Sequence, residues 1–167
     1  VGVPMDADGL RMDALEAALQ ERPAGLIYVA PTYHNPTGTV MPLHRRRQLL
    51  ALAERYHVPV LEDAVYHEMG YGEEPPPPLK ALDERGIVIH ASGFSKILLP
   101  GTRIGYLIAG RALYDRLAEV KQAADVCTPG LNQRAMQVYL ASGALVGHLN
   151  RVRVELRARC AAACAAA

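Results

Sequence analysis

The sequence predicts an α/β domain in which helices flank a mostly parallel sheet. Short, continuous apolar runs, typical of strands covered on both faces, alternate with longer segments that have helical apolar spacing. Such alternation favours parallel strands joined by helices. Polar side chains follow the apolar runs, which is where sheets of this class bind their ligands.

The elements can be assigned in order along the chain. The first helix is expected to start at Asp8 or Gly9 and to bury Leu15, Ala18 and Leu19. Pro42 suits the first turn of the second helix, where its missing N–H is not needed. The connection between the last two strands is too short for a helical crossover, so these strands are expected to run antiparallel. The predicted helices cover residues 10–21, 42–56, 112–124, 131–140 and 148 onward, and the predicted strands cover 26–30, 58–61, 87–91 and 104–109.

Composition and charge exclude several classes of function. Lys plus Arg number 18 against 17 for Asp plus Glu, so no strong field attracts nucleic acid or anionic lipid. The apolar runs are far shorter than the roughly 20 residues of a membrane helix, and no signal peptide is visible. No metal site is predicted, because Cys160 and Cys164 lack a matching set of further ligands. An odd number of cysteines favours a reducing cytoplasm.

Two stretches of unusual composition are interpreted as surface. The basic run at residues 44–47 could contact nucleic acid, but it lies opposite Leu43, Leu49 and Leu50 on the second helix. We therefore interpret it as a solvated helix face. The four prolines at residues 75–78 are interpreted as a surface loop.

Chemically useful side chains follow the first three predicted strands. Removing a carboxylate from water beside a buried strand is costly unless a cation pairs with it. Asp63 is therefore expected to have a cationic partner. A partly desolvated Lys96 would attack an aldehyde, and Arg103 offers a planar fork for a phosphate. One cofactor, pyridoxal 5′-phosphate (PLP), meets all three demands. The full set is Asn35 after the first strand, Asp63 and Tyr66 after the second, and Ser92, Ser95, Lys96 and Arg103 after the third.

Four motifs follow one another along the chain. They are PTYHNPTG at residues 31–38, EDAVY at 62–66, SGFSK at 92–96 and PGTRIGY at 100–106. In this order and at this spacing they resemble the class I/II aminotransferases, a group of fold type I PLP-dependent enzymes. The resemblance covers nearly the whole chain and is closest to the subgroup that handles 2-aminoadipate and aromatic amino acids. It implies PLP as the cofactor, and an amino acid and a 2-oxo acid as the substrates.

The resemblance also implies a role for each residue. Lys96 would hold the coenzyme as a Schiff base and then move a proton between the substrate's Cα and the coenzyme's C4′. Asp63 would keep the pyridine nitrogen protonated, and Arg103 would bind the phosphate. Asn35 and Tyr66 would donate hydrogen bonds to the ring's 3′-oxygen.

One position departs from the family. The residue three places before the lysine is often Ser or Thr in relatives and binds the phosphate, but here it is Gly93. Ser92 or Ser95 is therefore expected to supply the hydroxyl. Tyr33 is expected to face the substrate or the partner subunit's site, as aromatic residues near this motif do in relatives.

The resemblance implies that the chain is an internal fragment. Residues 1–147 are assigned to part of a PLP-binding large domain, and residues 148–167 to a helix leading towards a C-terminal small domain. Because family members are considerably longer, the glycine/threonine phosphate loop, the aromatic that stacks on the ring and the substrate-carboxylate arginine are expected outside these residues. The chain alone is therefore expected to be inactive, and the intact protein to be a homodimer.

Three functions stay open from the sequence. The leading one is amino-group transfer from an amino acid to a 2-oxo acid. The second is the PLP-binding effector domain of a winged helix-turn-helix transcription regulator, in which case a DNA-binding domain precedes Val1. The third is a PLP-dependent lyase, since the reaction depends on which Cα bond stands perpendicular to the ring.

Overall fold

A four-stranded mixed sheet forms the centre of the computed structural model, which describes residues 1–166. The strands are β1 (Met5–Asp6), β2 (Gly9–Leu10), β3 (Ile27–Val29), β4 (Val60–Asp63), β5 (Val88–Gly93) and β6 (Gly105–Ile108). The helices are α1 (Met12–Glu21), α2 (Leu43–Arg55), α3 (Leu79–Leu82), α4 (Arg111–Asp125), α5 (Gly130–Ala141) and α6 (Ala144–Ala166). The sheet order is β3-β4-β5-β6, with two parallel pairs followed by an antiparallel one. Both the mostly parallel sheet and the antiparallel last pair are thus confirmed.

The core lies between one face of the sheet and helices α1 to α3. Leu15 and Leu19 of α1, with Leu49 of α2, pack there with Val60 and Val88 of the central strands. These residues have the helical and strand spacings from which burial was predicted. Ala18, also predicted to be buried, is half-buried.

Within residues 1–166 the opposite face of the sheet is largely open, so β3 and β6 lack the cover on both faces that was predicted for the strands. Tyr28, at the centre of β3, is 59% exposed, and Leu107 of β6 is 53% exposed. Helix α4 flanks this face with Leu117 half-buried, while Val120 is exposed. An apolar run shows what a strand can bury but not what covers it, which is why the error arose.

The start of the first helix also differs from its prediction. Residues 5–10 form a small antiparallel hairpin in which Leu10 pairs with Met5. Gly9 has a φ of 94°, a left-handed conformation suited to glycine, and α1 begins only at Met12. The last helix begins at Ala144, four residues before the predicted position, and its assignment to a path towards a second domain stays a prediction. No helix among residues 1–166 is long and apolar enough to cross a membrane.

The basic run at residues 44–47 is not the solvated face that its composition indicated. Arg46 is 0% exposed, and Arg45 pairs with Asp6 at 2.7 Å and with Asp8 at 3.6 Å. Arg46 precedes the buried Leu49 and Leu50 by three and four residues, so helical periodicity places it on the buried side. This spacing could have predicted the burial of Arg46 from the sequence. The positive charge of the run favoured the opposite interpretation.

Candidate active site

The predicted site residues come from four segments that meet at one edge of the sheet. Because β3, β4 and β5 are parallel, their carboxyl ends lie at the same edge. Asp63 is the last residue of β4, and the connection after β5 carries Lys96. Strand β6 runs the other way and starts at this edge, shortly after Arg103. The topology therefore brings to one edge segments whose predicted site residues are up to 70 positions apart in sequence, from Tyr33 to Arg103.

Three of the predicted residues line one cleft of about 780 Å³. Tyr33 and Asn35 come from the loop after β3, and Tyr66 comes from the turn after β4. Pro75 and Pro76 form another part of the wall, which confirms that the proline run is a loop at the surface. We call this space the loop cleft. The Nζ atom of Lys96 lies 5.8 Å from the centre of the Tyr66 ring, within the range of a cation–π contact.

Asp63 and Ser92 line a second space, a groove of about 630 Å³ on the open face of the sheet. Tyr28 and Leu107 form part of the same groove. We call it the sheet groove. Asp63 and Tyr66 are only three residues apart, so the turn after β4 joins the two spaces.

The carboxylate of Asp63 is held by neutral donors. The Tyr28 hydroxyl donates to its Oδ2 at 2.7 Å, and the Val65 backbone N–H donates to its Oδ1 at 3.3 Å. This hydrogen bond, with burial and the negative charge of Asp63, raises the pKa of Tyr28 to about 12. The cationic partner expected for Asp63 is therefore not a side chain from residues 1–166.

The acid that is fully buried is the preceding residue, Glu62. It accepts hydrogen bonds from the backbone N–H groups of Leu79 at 2.6 Å and Lys80 at 3.1 Å, and it contacts His90 Nδ1 at 2.8 Å. Burial alone would raise the pKa of Glu62, but these hydrogen bonds outweigh it and lower the pKa. Glu62 thereby ties β4 to α3 and β5 on the side of the sheet away from Asp63.

Lys96 differs from the other lysines of the chain in the state of its amine. Lys80 donates to Asp83 and to the Val88 carbonyl oxygen, both at 2.9 Å, and Lys121 pairs with Asp125 at 2.6 Å. The amine of Lys96 is exposed and has no carboxylate partner within residues 1–166. An amine that no carboxylate holds is free to approach an aldehyde.

The candidates for phosphate binding occupy the connection between β5 and β6. Arg103 is exposed and has φ 52° and ψ 33°, a left-handed conformation that costs a side-chain-bearing residue energy. The Ser92 hydroxyl donates to the Ala64 carbonyl oxygen at 3.3 Å, whereas Ser95 is half-buried. A Cβ added at Gly93 would lie 3.0 Å from the Ile104 carbonyl oxygen, so β6 approaches too closely for an unstrained side chain there. Ser95 and Arg103 lie outside the lining of both clefts.

Tyr33 is packed over the backbone of Gly70. A Cβ added at Gly70 would overlap the Tyr33 hydroxyl, so only glycine leaves room for this ring. Tyr33 has a φ of 53°, and burial raises the pKa of its hydroxyl. Because strained backbone persists only where the surroundings hold it, Tyr33 is fixed as a wall of the loop cleft.

Two residues of this region were missed from the sequence. Tyr28 was assigned only to an apolar strand, although its hydroxyl needs a partner and its place in that strand aims it at the same face as Asp63. Arg46 was assigned to solvent, although it supports the loop that carries Asn35. The signal common to both is a polar side chain at a position that strand or helix spacing places beside apolar residues.

A sheet whose parallel strands end beside segments bearing an amine, an acid and a guanidinium has the arrangement of a ligand-binding α/β domain. Comparison with known proteins gives the family. The model of the family Aminotransferase class I and II matches residues 3–161, so the chain belongs to that family. The match confirms the resemblance inferred from the four motifs.

Individual relatives agree with the family assignment. The chain is 37% identical to the uncharacterised HTH-type transcriptional regulator YisV of Bacillus subtilis, over 95% of this chain and 33% of the relative. It is 39% identical to aromatic-amino-acid aminotransferase 1 of Thermococcus litoralis, over 91% of this chain and 38% of the relative. The structure matches the α-aminoadipate aminotransferase of Thermus thermophilus, solved with N-(5′-phosphopyridoxyl)-L-leucine, with a TM-score of 0.86 and 35% identity over 92% of this chain and 40% of that one. The chain thus spans only a third to two fifths of the length of these relatives.

Proposed function

We propose that the chain is the central part of the large domain of a PLP-dependent aminotransferase. The observation that carries the proposal is the topology, in which the segments bearing Lys96, Asp63 and Arg103 all adjoin the carboxyl edge of the parallel strands. Family membership and the relative solved with a phosphopyridoxyl amino acid support the choice of cofactor. The proposal extends to a cytoplasmic homodimer acting on an amino acid and a 2-oxo acid.

The residues present fit the coenzyme by the chemistry of their donors. The free amine of Lys96 matches its aldehyde, and the guanidinium of Arg103 matches its phosphate. Asp63 has only neutral protein donors within residues 1–166, so its charge is available to a protonated ring nitrogen. When bound, the coenzyme supplies an electron sink for the bond that breaks at the substrate's α-carbon.

The residues of the chain would then divide the remaining work. Lys96 would bind the coenzyme covalently and afterwards carry a proton between the substrate's Cα and C4′ of the coenzyme. Asp63, oriented by Tyr28, would keep the proton on the ring nitrogen. Asn35 and Tyr66 would donate to the ring's 3′-oxygen from the loop cleft, and Tyr33 would form the wall that meets the substrate.

The covalent bond to Lys96 gives the direct test. The complete product of the gene that encodes this chain should be incubated with PLP, reduced with borohydride and mapped by peptide mass. Within these residues the label can go only to Lys80, Lys96 or Lys121. We expect it on Lys96, absent from Lys96→Arg and retained in the matched control Lys121→Arg. A label that persists in Lys96→Arg would contradict the assignment.

The reaction needs a separate measurement. We expect the complete product to transfer the amino group of an aromatic amino acid or of 2-aminoadipate to a 2-oxo acid, as the names of two relatives indicate for those proteins. We expect the 167-residue chain alone to be inactive, because it spans so little of those relatives. Robust turnover by the isolated chain would contradict the second expectation.

A second candidate is the effector domain of a transcription regulator, favoured by the similarity to the B. subtilis HTH-type regulator. This function would keep the coenzyme site and place a DNA-binding domain elsewhere in the complete protein. Sequence-specific DNA binding that responds to PLP, without transamination, would support it. Transamination without DNA binding would support the enzyme.

A further inference from the structure

The guanidinium of Arg46 holds the loop that carries Tyr33 and Asn35. Its Nε donates to the Met41 carbonyl oxygen at 2.8 Å, and its Nη2 donates to the Pro31 carbonyl oxygen at 2.9 Å. Pro31 and Met41 are the two ends of this loop, and the Met41 N–H also donates to the Pro31 carbonyl oxygen at 2.8 Å. The two ends of the loop, which we call its neck, are therefore joined both by Arg46 and by a backbone hydrogen bond.

The same guanidinium reaches two further groups. Nη2 donates to the Thr32 hydroxyl at 2.8 Å, and Nη1 donates to the Pro77 carbonyl oxygen at 3.1 Å. Pro77 belongs to the proline loop, whose Pro75 and Pro76 form part of the wall of the loop cleft. Arg46 thus connects, from behind, two loops that wall the same cleft.

The burial of Arg46 makes this arrangement costly to replace. It is fully buried, and its four bonds go to carbonyl and hydroxyl oxygens. A buried charge is retained only when its donors are satisfied, and a planar fork can satisfy acceptors in several directions at once. Lysine would keep the charge but offers a single ammonium and cannot span these four oxygens.

We propose that Arg46 is a positioning residue that sets the placement of Asn35 and Tyr33 relative to the coenzyme. The inference rests on the proposed function, since it gives Asn35 the coenzyme's ring oxygen as its partner. The hydrogen bonds of Arg46 go to Pro31, Thr32, Met41 and Pro77 and not to Asn35 or Tyr33, so its effect passes through the neck of the loop and the proline loop. Catalytic groups need placement to within about 0.5 Å, which a loop attains only when its stems are held.

The test compares four variants of the complete gene product, all measured at a temperature where each is folded. Arg46→Lys removes the fork, and Thr32→Val removes one acceptor with little change in shape. Arg47→Lys is the matched control, because Arg47 is the exposed neighbour of Arg46. Leu49→Ala lowers stability from the same buried face of α2.

We expect Arg46→Lys to weaken PLP binding and to lower kcat/KM, each roughly 10- to 100-fold, as misplacement of a site by about 1 Å can do. The pH midpoint of the bound coenzyme's absorption band should shift, because Asn35 tunes the ring oxygen. Thr32→Val should change PLP binding, kcat/KM and the pH midpoint in the same direction but by less. It tests the proposal even if Arg46→Lys does not fold. Leu49→Ala should lower Tm and leave the band unchanged, and Arg47→Lys should alter nothing. If Arg46→Lys and Thr32→Val lower only Tm, as Leu49→Ala does, the proposal is wrong.

A second readout does not depend on the coenzyme. The amides of His34 and Met41 close hydrogen bonds within the loop, to Thr39 and Pro31. In the coenzyme-free protein, Arg46→Lys should speed hydrogen exchange at both amides at least about 10-fold, while amides of α4 keep their rates. Unchanged exchange at these amides overturns the positioning role. Faster exchange in a protein that never binds PLP refutes the proposed function and keeps the loop support.

Discussion

The hydroxyl of Tyr28 donates to Oδ2 of Asp63 across 2.7 Å, between strands that are neighbours in the sheet. In the parallel register Tyr28 lies opposite Leu61, so Asp63, two residues further on, is its diagonal neighbour on the same face. A tyrosine side chain is long enough to reach this diagonal. The acid proposed to serve the coenzyme is therefore oriented by a residue from the adjacent strand.

This contact predicts an unusual tyrosine titration. The difference in ultraviolet absorbance between the wild-type chain and Tyr28→Phe should show Tyr28 ionising near pH 12. In Asp63→Ala the midpoint should fall towards 10, because the acceptor and its charge are gone. Since folding raises this pKa from 10.0 to about 12, the stabilisation is complete below pH 10 and is lost as the pH rises through 12. A midpoint near 10 in the wild type would contradict the hydrogen bond.

The lowered pKa of Glu62 predicts that the free energy of unfolding decreases at acidic pH. Folding lowers its pKa from 4.5, so its contribution is present above pH 4.5 and is lost as the pH falls through the folded value. We expect Glu62→Gln to unfold more easily at pH 7, by about 1–3 kcal/mol, because buried donors lose a charged acceptor. The difference from wild type in urea unfolding should shrink towards pH 3. A difference that is constant with pH would show that Glu62 is not charged in the folded protein. Glu16→Gln serves as a control on a more exposed carboxylate.

We expect a substitution of Arg103 to change PLP binding while leaving the unfolding free energy almost unchanged. Arg103→Gly keeps the left-handed backbone but removes its strain, about 1 kcal/mol for a residue with a side chain, while glycine's greater freedom in the unfolded chain costs a similar amount. We therefore expect an unfolding free energy within about 1 kcal/mol of wild type. In the complete gene product the same change should weaken PLP binding, whereas Arg103→Lys should retain more of it because it keeps the charge. Equal PLP affinity in all three proteins would exclude Arg103 as the phosphate ligand.

Packing of the Tyr33 ring over Gly70 can be tested by adding a methyl group at Gly70. Gly70→Ala places a methyl group where the Tyr33 hydroxyl lies, so the ring must move or the backbone must shift. We expect a loss of about 1–3 kcal/mol in thermal unfolding, the usual cost of overpacking. The double variant Gly70→Ala with Tyr33→Ala should recover part of that loss. If the two changes add independently, Tyr33 does not lie over Gly70.

Local pattern was enough for much of the fold and for the positions of the candidate site. Periodicity located the four strands of the main sheet and the five longer helices to within a few residues, and the length of the segment 92–103 predicted the antiparallel last pair. The hairpin of β1 and β2 and the short helix α3 were not predicted. The motifs around Asn35, Asp63 and Lys96 were sufficient to infer the family, which the match over residues 3–161 confirms. These features are encoded by neighbours in sequence, where propensity and spacing act directly.

What only the tertiary structure decided depends on which segments become neighbours in space. Tyr28 and Asp63 are 35 residues apart, and their contact follows from the register of β3 against β4. The sequence indicated that Arg46 is one of several surface charges. In the structure its guanidinium donates to the Pro31 and Met41 carbonyl oxygens, at the two ends of one loop. Burial and hydrogen-bond partners are properties of packed elements, so an apolar or basic run by itself could specify neither the open face of the sheet nor the buried arginine beneath the loop cleft.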